Sequence, residues 1–421
     1  MPTYKLTYFN ITGLAEPIRY MFHYAGIKFE DARLESQDWS KCKTDMPLGQ
    51  VPVLEIDGKK YHQSKAIGRY VAKKCNLYSS DEIEALEIDA TVDSLDDMRQ
   101  AMSVYHHEKD PAVKEKMKKT TFEKLSFFLD KLEEQVKKNG GHFVRGKLTW
   151  PDVIYAAYVR RISEFTQKEI TKDHPELKKL VDKVDAIPSI KAYLDKRPKT
   201  EFHRDNLHFH VIVRFFAENM PTYKLTYFNV TGLAEPTRYM FHHAGIKYED
   251  VLLTLDDWPK YKEQMPLGQA PVLEIDGKKY NQSKAIARYV AKKCNLYSSD
   301  DVEALEIDGA VDSIEDIRLP LGQYYWEKDP ALKENLKQTA FEKLPNFLNK
   351  FEERVKKNGG HFVHGKLTWA DMMWAAYANM LSTFAAKDIH KDYPELKKLV
   401  DKVNGLPNIK AYLEKRSKML F

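Results

Sequence analysis

The chain has 421 residues, 43% of them hydrophobic and 31% charged, which are the proportions of an ordinary water-soluble globular protein. Its net charge of +5 is too slight for this length to indicate a nucleic-acid partner, and no run of apolar residues is long enough to suggest a membrane span. Three cysteines (Cys42, Cys75 and Cys294) argue against a disulfide framework. With no apolar leader at the N-terminus, they point to a reducing, cytoplasmic setting.

The first elements are short. Tyr4–Phe9 (YKLTYF), aromatic and β-branched, predicts a strand, and Gly13 marks a loop. Residues 15–25 carry apolar residues at helical spacing, with Pro17 tolerable in the first turn and Gly26 placed to end the helix. A second strand is expected over 28–34. Residues 52–56, Asp57-Gly58 and 59–62 predict a hairpin through an Asp-Gly turn. Residues 64–75 predict a helix capped by its own Ser64. The first segment therefore runs β-α-β-α-β-β-α.

From residue 80 the strand signals stop. Amphipathic stretches at about 81–107, 112–138, 150–166, 175–185 and 188–197 predict helices. Thr149-Trp150-Pro151-Asp152 has the form of an N-cap threonine three residues ahead of a carboxylate. The expected architecture is a small α/β domain followed by an all-helical one.

The chain then repeats itself. Residues 220–421 align with 1–202 at a fixed shift of 219, without a gap, and about two-thirds of the positions are identical. A period of this size is a whole domain-sized unit rather than a solenoid repeat. The expected boundaries are 1–77 (α/β, copy one), 80–202 (helical, copy one), 203–219 (join), 220–296 (α/β, copy two) and 299–421 (helical, copy two). The join is neither Gly/Ser- nor Pro-rich, and its apolar 208–216 stretch suits a strand or a surface-hugging segment. Its His208 and His210 are too few to specify a metal site.

The motifs become specific when taken in order and spacing. The strand Tyr4–Phe9, the loop into Leu14-Ala15-Glu16-Pro17, the run Met46 through Leu54 (MPLGQVPVL), His62-Gln63-Ser64, and Gly146 through Asp152 (GKLTWPD) together resemble the sigma class of cytosolic glutathione transferases, the invertebrate members above all. The resemblance covers nearly all of each copy. It implies a thioredoxin-like domain that binds glutathione as co-substrate, and a helical domain that shapes the pocket for a small electrophile.

Carried over residue by residue, the resemblance implies the following. Tyr8 and Tyr227 are the catalytic tyrosines, whose hydroxyls stabilise the reactive thiolate of glutathione as hydrogen-bond donors. Read alone, a tyrosine ending a strand is by default a core or surface aromatic. Val51 and Ala270, each before a proline that is cis in the family, offer main-chain groups to the tripeptide, next to Gln50 and Gln269. Gln63-Ser64 and Gln282-Ser283 open a helix whose free N–H groups suit the γ-glutamyl carboxylate, although the dipeptide also reads as a plain cap. Trp39 and Lys43, four apart, and their equivalents Trp258 and Lys262 resemble the contacts to the glycine end.

Asp93, Asp96 and Asp97 share one helix face, where carboxylates are ordinarily solvated. The resemblance gives Asp97 and Asp316 a contact to the glutathione of a partner copy. Some relatives bind a divalent cation through this triad, but Asp96 becomes Glu315 in copy two, and no metal is expected. The absence of a CxxC after either strand points away from thiol–disulfide exchange.

The copies part in two stretches, 98–107 against 317–326 and 153–167 against 372–386. In the family these helices wall the electrophile pocket. Pro320 and Gly322 are expected to kink or loosen the first of them in copy two. The expectation is one glutathione site with two electrophile pockets. Conjugation to lipid-derived aldehydes or xenobiotics is the leading activity. A glutathione-dependent isomerase of the prostaglandin D synthase type and a non-enzymatic, crystallin-like structural role are the alternatives. The join, which could span about 55 Å if extended, allows the two copies to pair as an internal pseudo-dimer, with homo-oligomerisation as the competitor.

Overall fold

The computed structural model describes residues 2–108, 110–166, 168–198, 221–416 and 419; the expected join at 203–219, with its apolar stretch and two histidines, lies outside the described residues. The chain divides into two compact units, Met1–Glu218 and Asn219–Phe421.

In the first unit, β1 (Tyr4–Phe9), α1 (Glu16–Tyr24), β2 (Glu30–Leu34), the one-turn α2 (Trp39–Cys42), β3 (Val53–Ile56), β4 (Lys59–His62) and α3 (Ser64–Lys74) form a thioredoxin-like domain. Its sheet has the order β2-β1-β3-β4, with β1 and β2 parallel and the other pairs antiparallel. The β3–β4 hairpin turns through Asp57 (φ 49°) and Gly58 (φ 83°), the left-handed pair that a two-residue turn demands. The central strand β1 buries Tyr4, Leu6, Thr7 and Tyr8 together, as expected of a strand covered on both faces.

Among the described residues five helices follow: α4 (Glu82–His107), α5 (Pro111–Lys138), α6 (Trp150–Thr166), α7 (Pro175–Asp185) and α8 (Pro188–Lys196). Their starts are set by polar caps: Asp81 accepts the Glu84 N–H, and Asp110 accepts those of Ala112 and Val113. At α6 the fully buried Asp152 accepts the Thr149 N–H (2.6 Å), the Thr149 hydroxyl (2.9 Å) and the Phe143 N–H (2.9 Å). Two buried contacts lock the helical domain onto the sheet domain. Arg69 of α3 meets Asp89 of α4 at 2.8 Å, and Glu16 of α1 is held by Arg19, Tyr193 and Arg197.

The second unit repeats this order. Its elements are β5 (Tyr223–Phe228), α9 (Glu235–Ala244), β6 (Glu249–Leu253), α10 (Trp258–Lys262), β7 (Val272–Ile275), β8 (Lys278–Tyr280), α11 (Ser283–Lys293), α12 (Asp301–Trp326), α13 (Pro330–Lys357), α14 (Trp369–Phe384), α15 (Pro394–Asn404) and α16 (Pro407–Lys415). Its sheet order is β6-β5-β7-β8. Among the described residues no helix is long and apolar enough to cross a membrane.

One expectation needs correction. Ser64 does not cap α3: it is the first helical residue, and the cap position belongs to Gln63, whose backbone is left-handed (φ 74°, ψ 110°) and whose side chain makes no capping bond. Gln282 stands the same way before Ser283 (φ 71°). The helix that contains Pro320 and Gly322 is continuous: α12 runs 26 residues to Trp326, as long as α4. A proline in mid-helix removes one N–H donor, and the burial of Ile317, Leu321 and Gly322 around it keeps the helix in place.

Candidate functional site

The strand register gathers the candidate residues at one end of the sheet. Thr7 pairs with Val53, and Val53 with His62. One step beyond that row lie Tyr8 on β1, Val51-Pro52 before β3, and Gln63-Ser64 after β4. The parallel neighbour adds Arg33 opposite Tyr8 and Leu34 opposite Phe9, so the chain leaving β2 reaches Trp39 at the same end. The Trp39 ring packs against Phe9 at 5.3 Å between centroids, and the stem of Lys43 lies against Gly49, beside Gln50. The Val51-Pro52 and Ala270-Pro271 peptide bonds are cis. In the second unit Trp258 meets Phe228 at 5.1 Å, and Lys262 lies against Gly268, beside Gln269 and Ala270.

Tyr8 is the buried centre of this end. Its hydroxyl oxygen accepts the Leu14 N–H at 3.2 Å, and in the second unit Tyr227 accepts the Leu233 N–H at 3.3 Å. The turn that brings the leucine there needs glycine. Gly13 has φ +51°, and a Cβ on it would lie 2.6 Å from the Tyr8 hydroxyl; at Gly232 the values are +48° and 2.8 Å. Burial pushes the phenol pKa of Tyr8 up, and the Leu14 N–H, Arg99, Arg19 and Arg161 only partly oppose it. Tyr227 is shifted the same way, opposed by the Leu233 N–H, Arg318 and Arg238. Both tyrosines therefore keep their protons at neutral pH. With a backbone donor on the oxygen and a retained proton, each can donate one hydrogen bond to an anion.

Of the cations acting on the tyrosine, Arg99 acts most strongly, and in the second unit Arg318; sequence reasoning missed both. Arg99 is held at 2.7 Å by Asp96, which also bonds Lys65 at 3.0 Å, while Arg318 is held by Glu315 at 2.8 Å. Burial works against the charge on Asp96, but Arg99 and Lys65 prevail and hold its pKa far below the usual carboxylate range. The i, i+3 spacing of Asp96 and Arg99 was the available signal. Asp93 and Asp96 are not solvated: both are buried, and both pair with Lys65, the residue after Ser64. Asp97 is half-buried on α4 next to this cluster, and Asp316 is half-buried on α12. Among the described residues, no group of three or more His, Cys, Asp or Glu side chains is arranged to hold a metal ion.

In the second unit a cleft of about 370 Å³ opens over Tyr227. Leu233 and Arg318 line it next to the tyrosine, and Leu319, Gly322, Trp326, Met380 and Phe384 form its outer wall. The wall comes from α12 and α14, the two helices on which the copies diverge.

The family model described as "Glutathione S-transferase, N-terminal domain" matches residues 4–73 and 223–292, and that described as "Glutathione S-transferase, C-terminal domain" matches 96–197 and 315–416. The chain is 44% identical over 196 residues to glutathione S-transferase S1 of Drosophila melanogaster, an alignment covering 46% of this chain and 79% of that protein. It is 42% identical over 202 residues to a glutathione S-transferase of Anopheles gambiae, covering 48% of this chain and 100% of that protein. It is also 40% identical over 200 residues to the hematopoietic prostaglandin D synthase of Gallus gallus, covering 48% and 99%.

Proposed function

The chain belongs twice over to the glutathione S-transferase family, and we propose that each copy is a sigma-class glutathione transferase in which Tyr8 or Tyr227 donates a hydrogen bond to the glutathione thiolate. The boundaries 1–77 and 220–296 delimit the glutathione-binding domains, and 80–202 and 299–421 the helical ones. Glutathione is the co-substrate. Its peptide backbone runs along Val51 or Ala270 as an added strand, with Gln50 or Gln269 alongside. Its γ-glutamyl carboxylate meets Gln63-Ser64 or Gln282-Ser283 at the start of α3 or α11. Its glycine end meets Trp39 and Lys43, or Trp258 and Lys262.

The observation that carries the reading is the Leu14 N–H on the Tyr8 hydroxyl oxygen, repeated at Leu233 and Tyr227. It orients a neutral phenol as a donor rather than a base. A hydrogen bond to a charged group contributes about 1.5–3 kcal/mol, and one pKa unit corresponds to about 1.4 kcal/mol. One such bond thus lowers the thiol pKa by roughly one to two units. The thiolate sulfur then attacks an electrophilic carbon of a lipid-derived aldehyde or a xenobiotic. Detoxification in the cytoplasm is the setting that this chemistry suits.

Asp97 and Asp316 complete the site of a paired copy by facing the glutathione amine, so the duplication supplies an internal partner. A chain that sediments as a 49.1 kDa monomer while binding two glutathiones would support internal pairing, and a concentration-dependent dimer would count against it. Similarity to the Gallus gallus prostaglandin D synthase favours, as a second reading, a glutathione-dependent isomerisation of the prostaglandin D synthase type. Conjugation of glutathione to chlorodinitrobenzene by the parent chain, Tyr8→Phe, Tyr227→Phe and the double variant tests the catalysis. Each single variant should lose one site, and the double variant should lose activity by about tenfold or more, the loss expected when one charge-assisted bond goes. A double variant with full activity would refute the role of the tyrosines.

A further inference from the structure

The two units present different walls to the electrophile. At the fixed shift of 219, the second unit's Leu319, Gly322, Trp326, Met380 and Phe384 correspond to Gln100, Ser103, His107, Arg161 and Phe165 of the first. At four of these five positions the first unit has a polar or cationic group in place of an apolar side chain or glycine, and only the phenylalanine is kept. The backbone that carries them is the same: α4 and α6 match α12 and α14 in position and almost residue for residue in extent.

The change that matters most is Met380 to Arg161. Met380 and Phe384 are buried, whereas Arg161 is about one-third exposed at its side chain (36%). Its guanidinium lies 4.8 Å over the ring of Phe165, and that ring is stacked on His106 at 4.1 Å. Phe165 therefore fixes where the charge sits. Glu164 accepts a bond from Nη1 at 2.8 Å, but a guanidinium has five N–H donors in a rigid fork, and one carboxylate does not use them all. Arg161 is among the groups that lower the Tyr8 pKa against the dominant effect of burial, and it acts on His106 in the same direction. In the second unit the positions of Arg161 and Glu164 are Met380 and Thr383, and Tyr325 packs on Phe384 at 4.7 Å instead.

From this geometry we infer that the two copies divide their second substrates by charge: the first takes electrophiles that carry a carboxylate or similar anionic group, bound by Arg161 over Phe165, and the second takes uncharged apolar ones. The inference rests on the proposed tyrosine-assisted conjugation, and deepens it by assigning a substrate class to each pocket.

The test uses the full chain with one site silenced at a time, Tyr227→Phe to read the first copy and Tyr8→Phe to read the second. The probes are an activated chloronitrobenzoate and its methyl ester. In both, the thiolate sulfur bonds to the chlorine-bearing carbon, the C–Cl bond breaks, chloride leaves with the electron pair, and the thiol proton goes to solvent. Intrinsic reactivity differs between acid and ester but cancels when their kcat/KM ratio is compared between variants. The acid-to-ester ratio should be about tenfold higher for the first copy, the scale of one charge-assisted bond. Arg161→Met in the Tyr227→Phe chain should raise KM for the acid more than for the ester and so lower the acid-to-ester ratio, and Met380→Arg in the Tyr8→Phe chain should raise that ratio. Equal ratios for the two copies, or ratios indifferent to both exchanges, would overturn the inference while leaving tyrosine-assisted conjugation standing. A double-tyrosine variant that conjugates both probes at the parent rate would instead overturn the catalytic reading, and the inference with it.

Discussion

Leu14 donates its backbone N–H to the hydroxyl of Tyr8 over 3.2 Å, and Gly13 alone makes that approach sterically possible. A Cβ at residue 13 would sit 2.6 Å from the hydroxyl oxygen, on a backbone with φ +51° that side chains other than glycine rarely adopt. Gly13→Ala is therefore expected to displace the tyrosine and to cost about 1–3 kcal/mol of stability from backbone strain. In a Tyr227→Phe background, where only the first copy keeps its tyrosine, glutathione conjugation should fall by about tenfold, the scale of losing the tyrosine's charge-assisted hydrogen bond. Steady-state kinetics together with urea unfolding would check both numbers. Unchanged kcat/KM would mean that the turn does not position Tyr8.

Much of the fold was legible because its signals are local. The aromatic, β-branched run at Tyr4–Phe9, the Asp57-Gly58 turn and the helical stretches after residue 80 each carry their own pattern. The glutathione end was legible only through the order of its motifs. No single residue announced it, and the row that joins Tyr8, Val51 and Gln63 exists only once Thr7, Val53 and His62 are in register. Arg99 escaped notice because what matters is its distance from a tyrosine 91 positions earlier in the chain. The continuity of α12 through Pro320 was not legible, because local propensity is overridden by tertiary burial: Ile317 and Leu321 are buried on either side of it.

The buried tyrosines make an alkaline limit. Burial raises the pKa of Tyr8 and Tyr227, and of Tyr155, Tyr158 and Tyr193 as well, above the unfolded value of about 10. A folded pKa above the unfolded one gives stability that is fully present below the unfolded pKa and is lost as pH rises through the folded pKa. The protein should therefore keep its fold through pH 9 and unfold above about pH 10, with tyrosinate absorbance rising in step with the loss of circular dichroism. Ionisation of these tyrosines well before unfolding would contradict the burial.

Cys42 should be the one readily accessible thiol among the three. Burial pushes the Cys75 and Cys294 thiols up to about 12, and both donate to backbone carbonyls, of Met21 and Met240. At pH 8 their thiolate fraction is on the order of one in ten thousand. Cys42 is half-buried in α2, between Trp39 and Lys43. A maleimide should label it alone, as peptide mapping would show, and weaken glutathione binding at the first site only, because Tyr261 stands in its place in the second copy. In calorimetry one of two glutathione sites should weaken. Loss of both, or of neither, would count against placing the glycine end of glutathione at Trp39 and Lys43.

Asp152 gathers three donors at the start of α6, the helix that carries Arg161. It is fully buried and accepts the Thr149 N–H, the Thr149 hydroxyl and the Phe143 N–H; Asp371 does the same for Thr368 and Phe362. Asp152→Ala would leave two backbone N–H groups unpaired in the interior, and each orphaned donor costs about 1–3 kcal/mol. The expected destabilisation is about 2–5 kcal/mol, confined to the first unit. Asp371→Ala should match it in the second, since the three contacts agree within 0.1 Å. Measured by urea unfolding, each variant should unfold one unit early and leave the other's transition in place. Near-neutral effects would mean that water replaces the carboxylate at both helix starts.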